Sequence, residues 1–180
     1  MGIKMLLWLL LVLPWVTLVF LDKDTVKRYM PVTIFTCLLM TIIFQIAYTF
    51  KWWTIYQYIV PWGYMIDVSF AYGIFAVRTL WIFHLTSHKF CLYVITNVVI
   101  DAFFAFIALA IMLPSFGIGA YNLLQPWQYF LVIFALFFII YGFHIWQQGI
   151  FKAPEERHTE GESGGELKIR GSIRPRAKAR

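Results

Sequence analysis

Five long apolar stretches constrain this chain more than any other feature of its sequence. Each holds about 20 residues, the length that an α-helix needs to cross the hydrocarbon core of a bilayer. Only 13% of the 180 residues are charged, too few to cover the surface of a water-soluble globule of this size. The sequence therefore predicts an all-α, polytopic helical membrane protein. Residues 1 to 150 form the predicted bundle, with helices at about residues 3 to 21, 31 to 50, 60 to 84, 91 to 113 and 127 to 147.

The first apolar stretch has two interpretations. Its length and position also suit a secretory signal, but it lacks a small-residue cleavage site and its apolar part is longer than a usual signal core. We therefore interpret it as a retained first helix. Pro14 lies in its middle and is expected to kink it, which membrane helices tolerate.

Residues 151 to 180 differ in composition from the rest of the chain. Five acidic residues lie between Glu155 and Glu166, and six basic residues lie between Lys168 and Arg180. Too few apolar side chains are present to form a core, which predicts a disordered, charged tail. The basic end can contact anionic lipid, although a solvated tail is the alternative. Binding of nucleic acid by so short a segment is not expected.

The distribution of Lys and Arg predicts the orientation. Basic residues gather in the loop after the first stretch, in the loop at residues 85 to 90 and in the tail, whereas the opposite side has only Lys4 and Lys51. Because cytoplasmic loops are enriched in Lys and Arg, we expect the N-terminus outside and the C-terminus in the cytoplasm of a cell membrane. The basic residues of the two inner loops are Lys23, Lys27, Arg28 and Lys89.

Three ionisable side chains, Asp67, Arg78 and Asp101, lie within the predicted spans. Such a charge at mid-bilayer costs about 2.5 to 3.5 kcal/mol unless it finds a partner. At a rise of 1.5 Å per residue, Arg78 and Asn97 both lie about 9 Å above the inner boundary, and Asp101 about 15 Å above it. An arginine side chain can reach across this difference. The sequence thus predicts an Arg78 to Asp101 ion pair with Asn97 as a further acceptor.

The helix faces agree with this pairing. Asn97 and Asp101 share a face of the fourth helix with Ala105 and Ala108, small residues that suit close helix packing. Asp67 is expected near the outer surface, about 25 Å above the inner boundary by the same rise, and Gln45 of the second helix at about 21 Å. A polar track through these side chains is therefore possible. Its residues are Gln45, Asp67, Asp101, Asn97 and Arg78.

Other chemical motifs carry little weight. His84, His88 and Cys91 have a spacing that suits metal ligands on a continuous helix, but Ser87 and Lys89 favour a turn there. The sequence contains no phosphate-binding glycine loop, HExxH pair or nucleophile elbow. We assign no catalytic residue, no cofactor-binding residue and no metal ligand, so the sequence favours a protein that is not an enzyme.

Several segments resemble a known group of proteins. They are LDKDTVKRYMP (21 to 31), FKWWTIY (50 to 56), RTLWIFHLT (78 to 86), FCLYVITNVVIDAFFAF (90 to 106) and LLQPWQYFLVIFALFFIIYGF (123 to 143). Together they resemble small uncharacterised multi-pass membrane proteins of Bacillus-type Firmicutes, over most of residues 8 to 147. The resemblance implies a bacterial plasma membrane protein of four or five helices. It implies no activity, cofactor or substrate.

Two functional hypotheses follow from the sequence. The first is an integral plasma-membrane protein with a non-enzymatic, interaction or structural role, in which the polar residues fix helix register. Its partners are the lipid bilayer and either another protein or further copies of itself. The alternative is a small transporter or channel that uses the polar track, because buried ionisable groups in membranes are candidates for function.

Overall fold

The computed structural model describes residues 2 to 86 and 89 to 170, with side chains up to residue 149. The chain divides into two compact units, Met1–Ile140 and Tyr141–Arg180. Five helical segments and two short strands follow one another. They are α1 (Gly2–Val16, closing in a 3-10 turn at Thr17–Phe20), α2 (Lys23–Thr49), β1 (Trp53–Ile55), α3 (Ser69–Ile74 and Phe75–Thr86), α4 (Phe90–Phe103, Phe104–Met112 and Leu113–Ser115), β2 (Gly119–Tyr121) and α5 (Pro126–Arg170).

Four of these helices are long and apolar enough to cross a membrane. They cover Gly2–Phe20, Lys23–Thr49, Phe90–Ser115 and Pro126–Gly149. The predicted class of polytopic helical membrane protein is confirmed. α5 runs on to Arg170, beyond its apolar part. The side chains from residue 150 and all of residues 171 to 180 lie outside the described part, and disorder of residues 151 to 180 stays a prediction.

The second helix begins earlier in the structure than the sequence predicted. α2 starts at Lys23 rather than at residue 31, so the predicted loop with Lys23, Lys27 and Arg28 is helical. The apolar pattern begins only near Pro31, which misled the prediction. The helix extends further back because Asp22 occupies its N-cap position and Asp24 its first turn, where negative charge stabilises a helix N-terminus.

The predicted third helix was wrong in its first part. Residues 61 to 66 form turns, and α3 starts only after Asp67. Pro61 and Gly63 explain the difference, because proline disfavours the helix interior and Gly63 is packed tightly: a Cβ there would lie 2.4 Å from Tyr58 Cβ. Asp67 therefore precedes α3 instead of lying inside it.

β1 and β2 form a two-stranded antiparallel sheet that the sequence did not predict. Trp53 pairs with Tyr121, Thr54 with Ala120 and Ile55 with Gly119. Each strand has three residues, too short for an alternating pattern to be recognised. The sheet joins the loop after α2 to the loop after α4.

This strand pairing defines the course of α3. Because β1 follows α2 and β2 follows α4, those two helices finish at the same end of the bundle, here called the sheet end. α3 starts there, since Asp67 borders a cavity with residues of both strands. It finishes at the opposite end, where α4 begins. Its six-residue start, Ser69–Ile74, is wound as a π-helix, and the 12 α-helical residues Phe75–Thr86 rise about 18 Å at 1.5 Å per residue.

α3 is the central helix of the bundle. Eleven of its residues are buried, whereas α1 buries only Leu7. It packs against α1, α2 and α4. Burial of most of this helix by protein lowers the cost of placing Arg78, 12% exposed, within a membrane. The buried residues of α3 are Ser69, Phe70, Ala71, Gly73, Phe75, Ala76, Val77, Leu80, Ile82, Phe83 and Thr86.

We expect Gly119→Ala to destabilise the protein by about 1 kcal/mol, at the low end of overpacking effects. A Cβ at Gly119 would lie 2.8 Å from the Thr54 carbonyl oxygen across the sheet, so the strands must separate slightly. Thermal unfolding in detergent micelles measures the effect. Ala120→Ser, on the neighbouring position of the same strand, is the control. A variant as stable as the parent would show that the sheet adjusts without cost.

Candidate functional site

Arg78 of α3 and Asp101 of α4 form the buried ion pair predicted from the sequence. Arg78 Nη2 lies 2.5 Å from Asp101 Oδ1. The Asp101 side chain is 1% exposed and the Arg78 side chain 12% exposed. Burying either charge alone is unfavourable because it loses its water. Contact between the two opposite charges offsets part of this cost.

Asn97 completes the contact between the two helices. Arg78 Nη2 donates a hydrogen bond to Asn97 Oδ1 at 3.1 Å. Asn97 Nδ2 in turn donates to the Tyr93 carbonyl one turn earlier, at 2.9 Å. This second bond orients the amide so that its oxygen faces the guanidinium. We call Arg78, Asn97 and Asp101 the polar cluster.

Aromatic rings surround the guanidinium. The Phe75 ring centroid lies 5.6 Å from Arg78 Cζ and the Phe104 centroid 5.9 Å from it. Both distances suit cation–π attraction, which is stronger where water is excluded. Aromatic packing therefore contributes to holding the charge, in addition to the carboxylate and the amide.

Tyr93 links the polar cluster to α5. Its hydroxyl donates a hydrogen bond to the Phe137 carbonyl at 3.0 Å, and its side chain is 2% exposed. The same residue supplies the carbonyl that orients Asn97. Its position one turn before Asn97 was visible in the sequence, but nothing there indicated that its hydroxyl would reach α5.

A small cavity adjoins the polar cluster and is called the ion-pair cavity. Its volume is about 30 Å³, enough for about two water molecules. Arg78 Nη1 and Asp101 Oδ2 are buried and have no hydrogen-bond partner among the described residues. These atoms can bind water, but the space is too small for an organic solute. The lining residues are Thr36, Met40, Phe75, Arg78, Thr79, Ile82, Tyr93, Asn97, Asp101, Ile133, Leu136, Phe137 and Ile140.

A second cavity, the sheet cavity, lies beneath the two strands. Its volume is about 50 Å³, which suits about three or four water molecules. Asp67 borders it and is only 5% exposed, although the sequence suggested a position near the outer surface. Burial follows from the unpredicted sheet, which covers this end of the bundle. Residues of both strands line the cavity, namely Trp53, Thr54, Ile55, Gly119, Ala120 and Tyr121.

Phe75 borders both cavities. It lies between Asp67 and Arg78 on the chain, and its side chain is 6% exposed. Gln45, in contrast, is exposed on α2 and lines neither cavity. The structure therefore brings Arg78, Asn97 and Asp101 together, places Asp67 in a separate cavity and leaves Gln45 outside both. A phenylalanine carries no polar signal, so the sequence could not single out Phe75.

The small-residue face predicted on α4 is confirmed. Asn97, Asp101, Ala105 and Ala108 are all buried. Metal binding receives no support in the described part of the chain, where no group of three His, Cys, Asp or Glu side chains could hold an ion. His84 and Cys91 are exposed there, and His88 lies outside the described residues.

The fold and the polar cluster define a class: a helical, multi-pass membrane protein with a buried Arg–Asp pair between α3 and α4. No family model matches the chain, and no curated protein or solved structure matches it either. The particular activity must therefore be argued from the geometry alone.

Proposed function

We propose that the protein has a structural or interaction role in the membrane and that the polar cluster clamps α3 to α4. The observation that carries this proposal is the ion pair itself. The Arg78 and Asp101 charges neutralise each other at 2.5 Å, and the remaining Arg78 contacts are to Asn97 and to two aromatic rings. Because the two charges pair with each other, the cluster suits attachment of one helix to another better than binding of a substrate.

The size of the two cavities supports the same proposal. At about 50 and 30 Å³ they hold a few water molecules each, whereas pockets for small organic ligands measure about 300 to 1,000 Å³. This conformation has no room for such a substrate in either cavity. The Lys and Arg distribution supports an orientation with the sheet end outside, and the resemblance to bacterial membrane proteins supports a plasma membrane location.

Association in the native membrane tests the interaction role. The parent and a variant truncated after residue 151 are crosslinked in intact membranes, solubilised and separated by size. A role in interaction predicts a defined crosslinked species in the parent, formed either with another protein or between copies of the chain. Only monomer in both proteins would contradict the proposal. Loss of the species on truncation would assign the contact to the tail, and its retention would assign it to the bundle.

A small transporter or channel is the second candidate, favoured by the two cavities that share Phe75. Each cavity contains a carboxylate, Asp67 in one and Asp101 in the other. Displacement of the Phe75 ring would join them into a path for protons or small ions. Such particles need only the few water molecules that these volumes allow.

Flux across proteoliposomes distinguishes the two candidates. For a conducting path, the parent moves protons or monovalent cations down a gradient, and Phe75→Ala raises the rate. Asp101→Asn alters the rate, while Asp22→Asn, at an exposed position, does not. Absence of flux in the parent under both gradients would exclude this candidate in favour of the clamp.

A further inference from the structure

Asp67 is a buried carboxylate that forms no ion pair with any described residue. Its Oδ1 accepts hydrogen bonds from the backbone N–H groups of Ser69 at 3.0 Å and Phe70 at 3.3 Å. These bonds cap the start of α3. The buried Ser69 hydroxyl lies beside the carboxyl and acts with these bonds to favour its ionised form.

Among the described residues that line the sheet cavity, none carries a positive charge. Its lining contains no lysine, arginine or histidine, and Asp67 is its only acidic residue among those described. The titratable groups that face it are the hydroxyls of Tyr121 from β2 and Tyr129 from α5. The other elements around it contribute uncharged side chains. These are Phe44 of α2, Trp53, Thr54 and Ile55 of β1, Phe70 and Phe75 of α3, Leu109 and Leu113 of α4, and Ile118 beside β2.

We propose that the sheet cavity is a proton-binding site in which Asp67 is reversibly protonated. A hydronium ion entering the cavity transfers its proton to a carboxylate oxygen. One O–H bond breaks in the hydronium, one forms on Asp67, and a water molecule remains. A metal ion fits this cavity less well, because hard cations require several oxygen ligands and these walls are mainly aromatic and aliphatic.

The chemistry of the surroundings agrees with this assignment. Asp67 lies ahead of α3 and outside the four apolar spans. Burial raises the pKa of its carboxyl to about 6, although the hydrogen bonds from Phe70 and Ser69 act in the opposite direction. Asp67 therefore changes charge near pH 6 instead of near pH 4, where an exposed aspartate titrates.

Protonation should also affect stability. Because the folded-state pKa of Asp67 is raised, the folded protein binds this proton more readily than the unfolded chain does. The contribution to stability is fully present below about pH 4 and is lost as the pH rises through about 6. The proposal stands on this cavity alone and is independent of the choice between clamp and channel.

Infrared spectroscopy of the reconstituted protein, labelled with carboxyl-¹³C aspartate, tests the site. The chain has four aspartates, at positions 22, 24, 67 and 101. We expect a protonated-carboxyl band that disappears with a midpoint near pH 6, is absent in Asp67→Asn and persists in Asp22→Asn. A parent without any such titration between about pH 4 and 8, or the same titration in Asp67→Asn, would overturn the proposal.

Thermal unfolding provides a second readout. The parent should melt at a higher temperature at about pH 5 than at about pH 7.5, and Asp67→Asn should lose much of that difference. Asp67→Ser, which also caps helices well, replaces the asparagine variant if the latter does not fold. Equal pH dependence in the parent and in the folded variant would contradict the assignment.

Discussion

Replacing Asp101 with leucine should destabilise the protein by about 3 to 5 kcal/mol, the range for breaking a buried ion pair. The variant leaves the Arg78 guanidinium buried between Phe75 and Phe104 with only Asn97 as a polar partner. Arg78→Met should have a similar effect, because it leaves the Asp101 carboxylate, 1% exposed, without its cation. Denaturation in mixed micelles measures both losses.

The double variant Arg78→Met/Asp101→Leu provides the decisive comparison. Replacing both charges by apolar groups removes the uncompensated charge, so most of the stability should return. The loss of stability in the double variant should then be well below the sum of the two single losses, as expected for residues in direct contact. Asp22→Asn changes an exposed acid and should stay within about 0.5 kcal/mol of the parent. Additive losses in the double variant would show that the two charges do not depend on each other.

Gly73→Ala should lower stability by about 3 kcal/mol, at the upper end of overpacking effects. A Cβ at this position would lie 2.5 Å from the Leu10 carbonyl oxygen and 2.9 Å from Leu11 Cα. Both are backbone atoms of α1, so no side chain can rotate away and the two helices must move apart. Helix propensity alone predicts the opposite, since alanine favours a helix by about 1 kcal/mol over glycine.

Gly142→Ala is the matched control for this substitution. Gly142 is an exposed helical residue, and a Cβ there meets nothing within 4 Å. Its replacement should leave stability unchanged or raise it by up to about 1 kcal/mol. Thermal unfolding of both variants, together with proteolysis at the junction of α1 and α2, measures the effect. If Gly73→Ala and Gly142→Ala behave alike, close packing of α1 on α3 is not important for stability.

Much of the fold could be predicted because membrane helices are recognised in a sequence by their length and apolar composition. The Arg78 to Asp101 pair could be anticipated as well, since a fixed rise per residue converts sequence position into depth. The start of α3 could not, because the apolar stretch at residue 60 continues through Pro61 and Gly63 into residues that form turns. Apolar composition indicates that a segment is kept away from water, but it does not distinguish a helix from turns that are packed within protein.

The sheet cavity escaped prediction for a different reason. It depends on the pairing of Ile55 with Gly119, residues that are far apart along the chain. Neither strand has an alternating pattern long enough to identify, and their partner choice arises from tertiary packing. Asp67 therefore looked like a residue at the wet surface. Its burial is a property of the assembled bundle and not of its own segment.

The strand pairing also imposes an order on biogenesis. β1 leaves the ribosome before α3 and α4, whereas β2 follows them, so the sheet closes only after α4 has crossed the bilayer. Until then the sheet does not cover Asp67, so we expect its carboxylate to stay in contact with water. The unfavourable step of dehydrating that group is thus postponed until most of the surrounding helices are already in place.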